Sequence, residues 1–280
     1  GGYLRVGVLA LQGGFAEHVS HVKRCGSFGT RDEVVEVRTP DELACCHALI
    51  IPGGESTAMA LIAAKRALME PLKKFAEEKP VWGTCAGMIF LANHIHGSKK
   101  GGQALVGGID ITVHRNFFGC QNNSFEATLD APPELLEYSS GVGMDEKHFR
   151  GVFIRAPAIL LDPPPPAHVR ILTELCLPAD AHAALEPRSS PDGHGLGDGG
   201  EEQRVSKVHR VAVAARQGNI LVTAFHPELT GDLRWHAFFV KMARDHRSAA
   251  SEGKPPANAA EAPFPKPPLA LAEKCDLPIV

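Results

Sequence analysis

The chain has 280 residues, 44% of them hydrophobic and 22% charged, enough apolar material for a sizeable folded core. A net charge of -3 at pH 7 argues against the clustered basic face that nucleic acid requires, and no apolar run approaches the roughly 18 residues that span a bilayer. Seven cysteines, an odd number at irregular spacings with no CxxC pair, argue against a disulfide framework or a zinc site and fit a reducing, cytoplasmic setting.

The N-terminus reads directly as a strand rather than a leader: "LRVGVLAL" (4–11) is a nearly continuous apolar run, as in a strand buried on both faces. A helix is expected over 14–24, a second strand over 33–39 and a third over 46–54, ending at a glycine pair. Residues 56–78 carry helical spacing with Ser56 as N-cap, "PVWGTC" (80–85) is a fourth strand, and 86–95 a helix. Alternating strands and helices predict an α/β fold with a parallel sheet covered on both faces. The second half is strand-rich: 107–116, 124–130, 151–159 and 168–175, then a hairpin over 208–229 around Gln217-Gly218-Asn219, then a last helix over 232–247. The expected organisation is one domain over 1–247, with a Gly/Pro/Ser-rich surface insertion at 177–206 and an Ala/Pro-rich tail at 248–280. Cys25, Cys45, Cys46 and Cys176 read as small buried hydrophobes.

Cys85 stands apart from them. "GTCAG" (83–87) joins a strand to a helix, the thiol form of a nucleophile elbow. Glycines on both sides permit a turn too tight for larger residues, and a helix N-terminus favours the anionic sulfur that attacks carbonyl carbon. The amide of Ala86 is placed to meet a developing oxyanion. A thiol nucleophile needs a base, and "VTAFHPELT" sets His226 at the end of an apolar strand, with Glu228 two residues on across a proline. If this stretch is extended, both side chains project to one side, and the carboxylate orients the imidazole. "IPGGEST" (51–57) ends the third strand with Gly53 and Gly54, where backbone amides can approach a substrate closely.

Taken in order, "LALQGGFAEH", "PGGEST", "GTCAG", "HRNFFGCQNNSFE", "FIRAP" and "HPELTGD" resemble the glutaminase subunits of pyridoxal 5'-phosphate synthase, the PdxT or Pdx2 family. The likeness runs from Tyr3 to about Arg247, interrupted by 177–206. It implies a class I (triad) glutamine amidotransferase fold, flavodoxin-like and three-layered, with a strand-rich addition. It also implies that L-glutamine is hydrolysed to glutamate and ammonia by Cys85, His226 and Glu228, without metal or cofactor. The ammonia would pass to a (β/α)8-barrel synthase subunit that builds the vitamin B6 ring. The family's glutamine-binding positions correspond to Gly53, Gly54, Glu55, Arg115, Ile154 and Arg155, and Gln12 to a residue tied to the oxyanion loop and to activation by the partner. Glutamine carries a carboxylate, which suits pairing with Arg115 or with the Arg155 segment. Cys120 departs from the family pattern, which has Arg or Ser there in many members. A glutaminase serving another synthase, or a silent module that only stabilises a barrel partner, are the alternatives. "FIRAP" and "HRNFFG" count against the first, and the presence of all three triad residues against the second.

Overall fold

The computed structural model describes residues 3–96, 102–118, 124–138, 147–177 and 209–252. A ten-stranded mixed sheet dominates, in the order β2-β1-β3-β4-β12-β11-β9-β6-β5 with β10 on β11. Its first five strands, β2 (Glu33–Val37), β1 (Arg5–Leu9), β3 (Ala48–Ile51), β4 (Val81–Thr84) and β12 (Ile220–Thr223), are parallel neighbours. β3, β4 and β12 are buried along their whole length, which is why their sequences are continuously apolar rather than alternating. β11 (His209–Gln217) returns antiparallel to β12 through a two-residue turn at Gly218 and Asn219, with Gly218 at a φ of 53°. β9 (Ala158–Leu160), β6 (Ile109–His114) and β5 (Ala92–Ile95) extend the sheet, and β10 (Arg170–Leu177) pairs β11. β7 (Ser124–Asp130) and β8 (His148–Ile154) form a separate antiparallel ribbon.

Helix α1 (Phe15–Arg24) packs beside the last helix, α7 (Arg234–Ser251). A second helix group comprises α2 (Pro40–Ala44), α3 (Ser56–Lys65), α4 (Met69–Glu78) and α5 (Ala86–Leu91). α6 (Pro133–Leu136) is a single turn against α7.

Several expectations are corrected. The helix over 56–78 is two helices, broken where Ala67 takes a left-handed φ of 56°. Pro71 required this, since inside one continuous helix its ring would clash with the Ala67 carbonyl; in α4 it sits in the first turn, where no amide is missed. α2 was not expected, although Thr39 and Glu42 form a full capping box. The helix over 86–95 lasts six residues and gives way to β5. The strand over 151–159 is two strands, β8 and β9, separated by Arg155 at a φ of 45°. The last helix runs on to Ser251, into the segment expected as tail. Cys45 is exposed, whereas Cys25, Cys46 and Cys176 are buried. Cys120, nearly all of the 177–206 insertion and 253–280 lie outside the described residues.

Candidate active site

The parallel strands β1, β3, β4 and β12 all deliver their C-terminal ends to one edge of the sheet, where open α/β sheets build ligand sites. Gln12 and Gly13 follow β1, Gly53 and Gly54 follow β3, Cys85 follows β4, and His226 follows β12. Adjacency of β3, β4 and β12 therefore gathers residues that lie far apart in sequence.

Cys85 occupies the corner between β4 and α5 with φ 48° and ψ -105°, a region costly for any residue with a side chain. Its amide donates to the Thr223 carbonyl of the neighbouring strand at 2.8 Å, which holds the corner in place. The flanking glycines have a steric reason. A Cβ on Gly83 would lie 2.5 Å from the Gly87 carbonyl carbon, and one on Gly87 would run into the Ile51 carbonyl. The sulfur sits 3.9 Å from the Ile154 carbonyl and is largely shielded from solvent.

His226 and Glu228 come together differently from the expected extended stretch. Pro227–Leu229 is a turn of 3-10 helix, and the turn rather than the strand brings Glu228 Oε1 within 2.7 Å of His226 Nδ1. The His226 amide donates to the Val152 carbonyl at 2.8 Å, so the β7–β8 ribbon clamps the base from outside the main sheet. Burial opposes a charged imidazole here, but the Cys85 sulfur and the Glu228 carboxylate outweigh it and raise His226 to about 10. The imidazole thus holds the proton at neutral pH. Burial likewise opposes the Glu228 carboxylate, yet His18 and His226 beside it bring it below the ordinary carboxylate range.

Gly53 lies against this pair. A Cβ there would stand 2.5 Å from His226 Cε1 and 3.3 Å from Cys85 Cβ. Gly54 has a φ of 152°, with Gln12 packed where a side chain would go. Gln12 Nε2 donates to the Glu55 carbonyl at 2.5 Å, fastening the loop after β1 to the loop after β3. Gly13, at a φ of 77°, presses directly on the Gly53 carbonyl. The expected N-cap Ser56 is corrected by one residue. Glu55 caps α3, accepting from the amides of Thr57 at 3.0 Å and Ala58 at 2.6 Å, while Ser56 donates to Gln103. Burial works against the Glu55 carboxylate, but these amide bonds hold it below its usual range, with Arg115 contributing. Arg115 reaches the same helix start, 3.3 Å from Thr57 Oγ1 and 3.9 Å from Glu55 Oε1.

A cleft of about 610 Å³ opens over these groups. Gly53, Gly54, Glu55, Cys85, Ala86, Arg115, Ile154, Arg155, His226 and Glu228 all line it. Gln12 does not, and reaches the cleft through the Glu55 carbonyl and by packing on Gly54. Sequence reasoning missed His18, which sits behind Glu228, and His236 behind that. His18 lies inside the quoted "LALQGGFAEH", but one histidine among 14 carries no signal of its neighbours. Among the described residues no cluster of three His, Cys, Asp or Glu is arranged to hold a metal ion, and no helix is long and apolar enough to cross a membrane.

The chain is similar to known proteins over most of its length. The model of the SNO glutamine amidotransferase family matches residues 8–179. A probable pyridoxal 5'-phosphate synthase subunit PDX2 from Arabidopsis thaliana is 46% identical over 249 residues, covering 89% of each chain. A pyridoxal 5'-phosphate synthase subunit PdxT from Desulforudis audaxviator is 40% identical, covering 85% of this chain and 97% of the relative. Among solved structures, a crystal structure of a glutamine amidotransferase superposes with a TM-score of 0.59 at 34% identity, covering 85% of this chain and 98% of that one.

Proposed function

The chain belongs to the SNO glutamine amidotransferase family, and from that membership we propose that it is the glutaminase subunit of a pyridoxal 5'-phosphate synthase, with Cys85, His226 and Glu228 as its catalytic triad. It hydrolyses L-glutamine to L-glutamate and ammonia for vitamin B6 synthesis. The observation that carries the residue roles is one cleft holding a strained cysteine corner and a buried His–Glu pair 2.7 Å apart.

The chemistry follows from the geometry. The Cys85 sulfur attacks the side-chain amide carbon of glutamine while His226 holds the proton that the thiol has given up. The oxygen of the tetrahedral intermediate becomes anionic, and the amides of Ala86 and Gly54 are the donors assigned to it. His226 then protonates the departing nitrogen, ammonia leaves, and a thioester on Cys85 remains. Water, deprotonated by His226, attacks the thioester and releases glutamate. Glu228 keeps Nδ1 protonated and the ring in register, without itself taking the proton. Glu55, Arg115, Ile154 and Arg155 are the proposed substrate-holding positions, with Arg115 the partner for the α-carboxylate. Gln12 is assigned to setting the loop of Gly54 through the Glu55 carbonyl.

The relatives named as synthase subunits support delivery of ammonia to a (β/α)8-barrel partner, and the cysteine pattern supports a cytoplasmic setting. The test is ammonia release from glutamine by the full chain, alone and with the barrel synthase subunit. Activity should rise when the synthase is added and vanish in Cys85→Ala under both conditions. Turnover surviving in Cys85→Ala removes the mechanism, and equal rates with and without the synthase remove the coupling.

A further inference from the structure

Behind the triad lies a second line of buried polar groups that the hydrolysis described above does not use. Glu228 offers Oε1 to His226, but its Oε2 is fully buried and makes no regular hydrogen bond. The polar group facing that oxygen is His18 Nε2 at 3.3 Å, from the first turn of α1. The opposite nitrogen of the same ring, Nδ1, is 2.9 Å from His236 Nε2 on α7. Both rings are completely buried, held edge-on against Trp82 with centroids 5.6 and 4.9 Å away. Thr84, the residue before the nucleophile, places Oγ1 3.4 Å from His18 Nε2.

We propose that His18, supported by His236, is a positioning residue for the glutaminase reaction: its Nε2–H holds the outer oxygen of Glu228 and so fixes the carboxylate that orients His226. The inference rests on the triad reading above. Hydrogen-bond accounting selects the direction. A bare Nε2 would face the acceptor-only Glu228 Oε2 lone pair to lone pair at 3.3 Å, whereas an Nε2–H is attracted to that oxygen and can also be accepted by Thr84 Oγ1, so His18 Nε2 carries the proton. A neutral His18 then has a bare Nδ1, which requires His236 Nε2 to donate in turn. His236 Nδ1 is left bare, and it is the ring atom with no partner in this cluster. The opposite direction would bury an N–H at that position with nothing to accept it, which folded proteins avoid.

The charge state agrees with this arrangement. Burial, the largest influence, pushes protonation of His18 down to about pH 4, with His21 and His226 acting the same way and Glu228 and Glu17 opposing. Burial also lowers His236 well below its ordinary value. Near neutral pH the two rings are therefore neutral, and they serve Glu228 as a polarised chain of N–H donors rather than as cations. A cation here would compete with His226 for the carboxylate; a neutral donor fixes its orientation and leaves the charge to the triad.

Two variants and one measurement on the native chain test the proposal. His18→Phe keeps the ring volume and removes the donor. His18→Gln returns an N–H at about the reach of Nε2. Glutamine hydrolysis by the full chain, with the synthase subunit present, should show kcat lower by about 10- to 100-fold in His18→Phe with KM within about twofold, because an orphaned buried acceptor frees Glu228 while the substrate contacts stay. His18→Gln should recover most of that loss. Unchanged kcat in His18→Phe, or equal loss in both variants, overturns the proposal. Nitrogen-15 NMR of the histidine rings in the unsubstituted chain needs no folded variant and no activity, so it separates this inference from the glutaminase reading. His18 and His236 should both appear as neutral Nε2–H tautomers at pH 7. A protonated His18, or its Nδ1–H tautomer, refutes the arrangement.

Discussion

At Cys85 a side chain other than hydrogen is forced into positive φ, and the surroundings that enforce it are other backbones: Thr223 from one side, Gly87 and Ile51 from the other. The elbow was legible in sequence because steric demand and chemistry coincide in five consecutive residues. Gly53 was legible only as a turn. Its further meaning, a missing Cβ that makes room for His226 Cε1, depends on β3 and β12 lying on either side of β4. Gly53→Ala should therefore push the imidazole off the sulfur by a fraction of an ångström to an ångström. A displacement of that size costs about 100-fold in kcat. Steady-state ammonia release, with circular dichroism showing that the fold is kept, checks it. His18 was illegible for the converse reason: its partners come from α7 and from the turn after β12, more than 200 residues away.

Individual elements show where periodicity fails. The apolar spacing of 56–78 is truly helical, but spacing cannot report a break between two helices that share it; Pro71 can, and it marks the restart at Met69. The break at Arg155 between β8 and β9 has no such marker, since arginine at positive φ is not foreseeable from composition. That break matters to the site. It lets β8 leave the main sheet as a ribbon with β7, bringing the Val152 carbonyl to His226 and Ile154 and Arg155 to the cleft. Across the cleft, the start of α3 carries Glu55 and Thr57, and Arg115 at the end of β6 leans on both. An arginine held against a helix start with its carboxylate cap is positioned before substrate arrives. Arg115→Ala should raise KM for glutamine by roughly 10-fold or more and leave kcat within a few-fold, as expected when a charged hydrogen bond made equally in ground and transition states is lost. A kcat loss with unchanged KM would reassign that arginine.

The molecule as a whole should have a pH optimum of stability set by its buried rings. His18 has an ordinary value of 6.5 but takes a proton only near pH 4 when folded. Between those limits the unfolded chain binds a proton that the folded chain refuses, so acidification below about pH 6.5 destabilises the fold by up to about 1.4 kcal/mol per pH unit for each such histidine. His236 acts in the same direction. His226 behaves oppositely. Raised from 6.5 to about 10, its contribution is complete below pH 6.5 and is lost as pH climbs toward 10. Urea unfolding from pH 4 to pH 10 should trace a maximum near neutrality. Cys85→Ala should flatten the alkaline limb, because the sulfur is a chief cause of the raised value, and His18→Phe should flatten the acid limb. A profile unaffected by either substitution contradicts the assigned charge states.

The doubly covered parallel half was readable because buried parallel strands are apolar throughout; the mixed order β12-β11-β9-β6-β5 was not, since alternation such as that of β6 marks a half-buried strand but not which strand it pairs with. One contact reaches across that architecture. The turn after β1 meets the turn after β3 main chain to main chain, at Gly13 and the Gly53 carbonyl, beside the Gln12 side chain that also joins them. Two peptide units this close have little room to move independently, so a displacement of the first loop carries the second with it. Coupling between the two loops is then a matter of stiffness, and a methyl group at position 13 would run into the Gly53 oxygen and force them apart rather than loosen them.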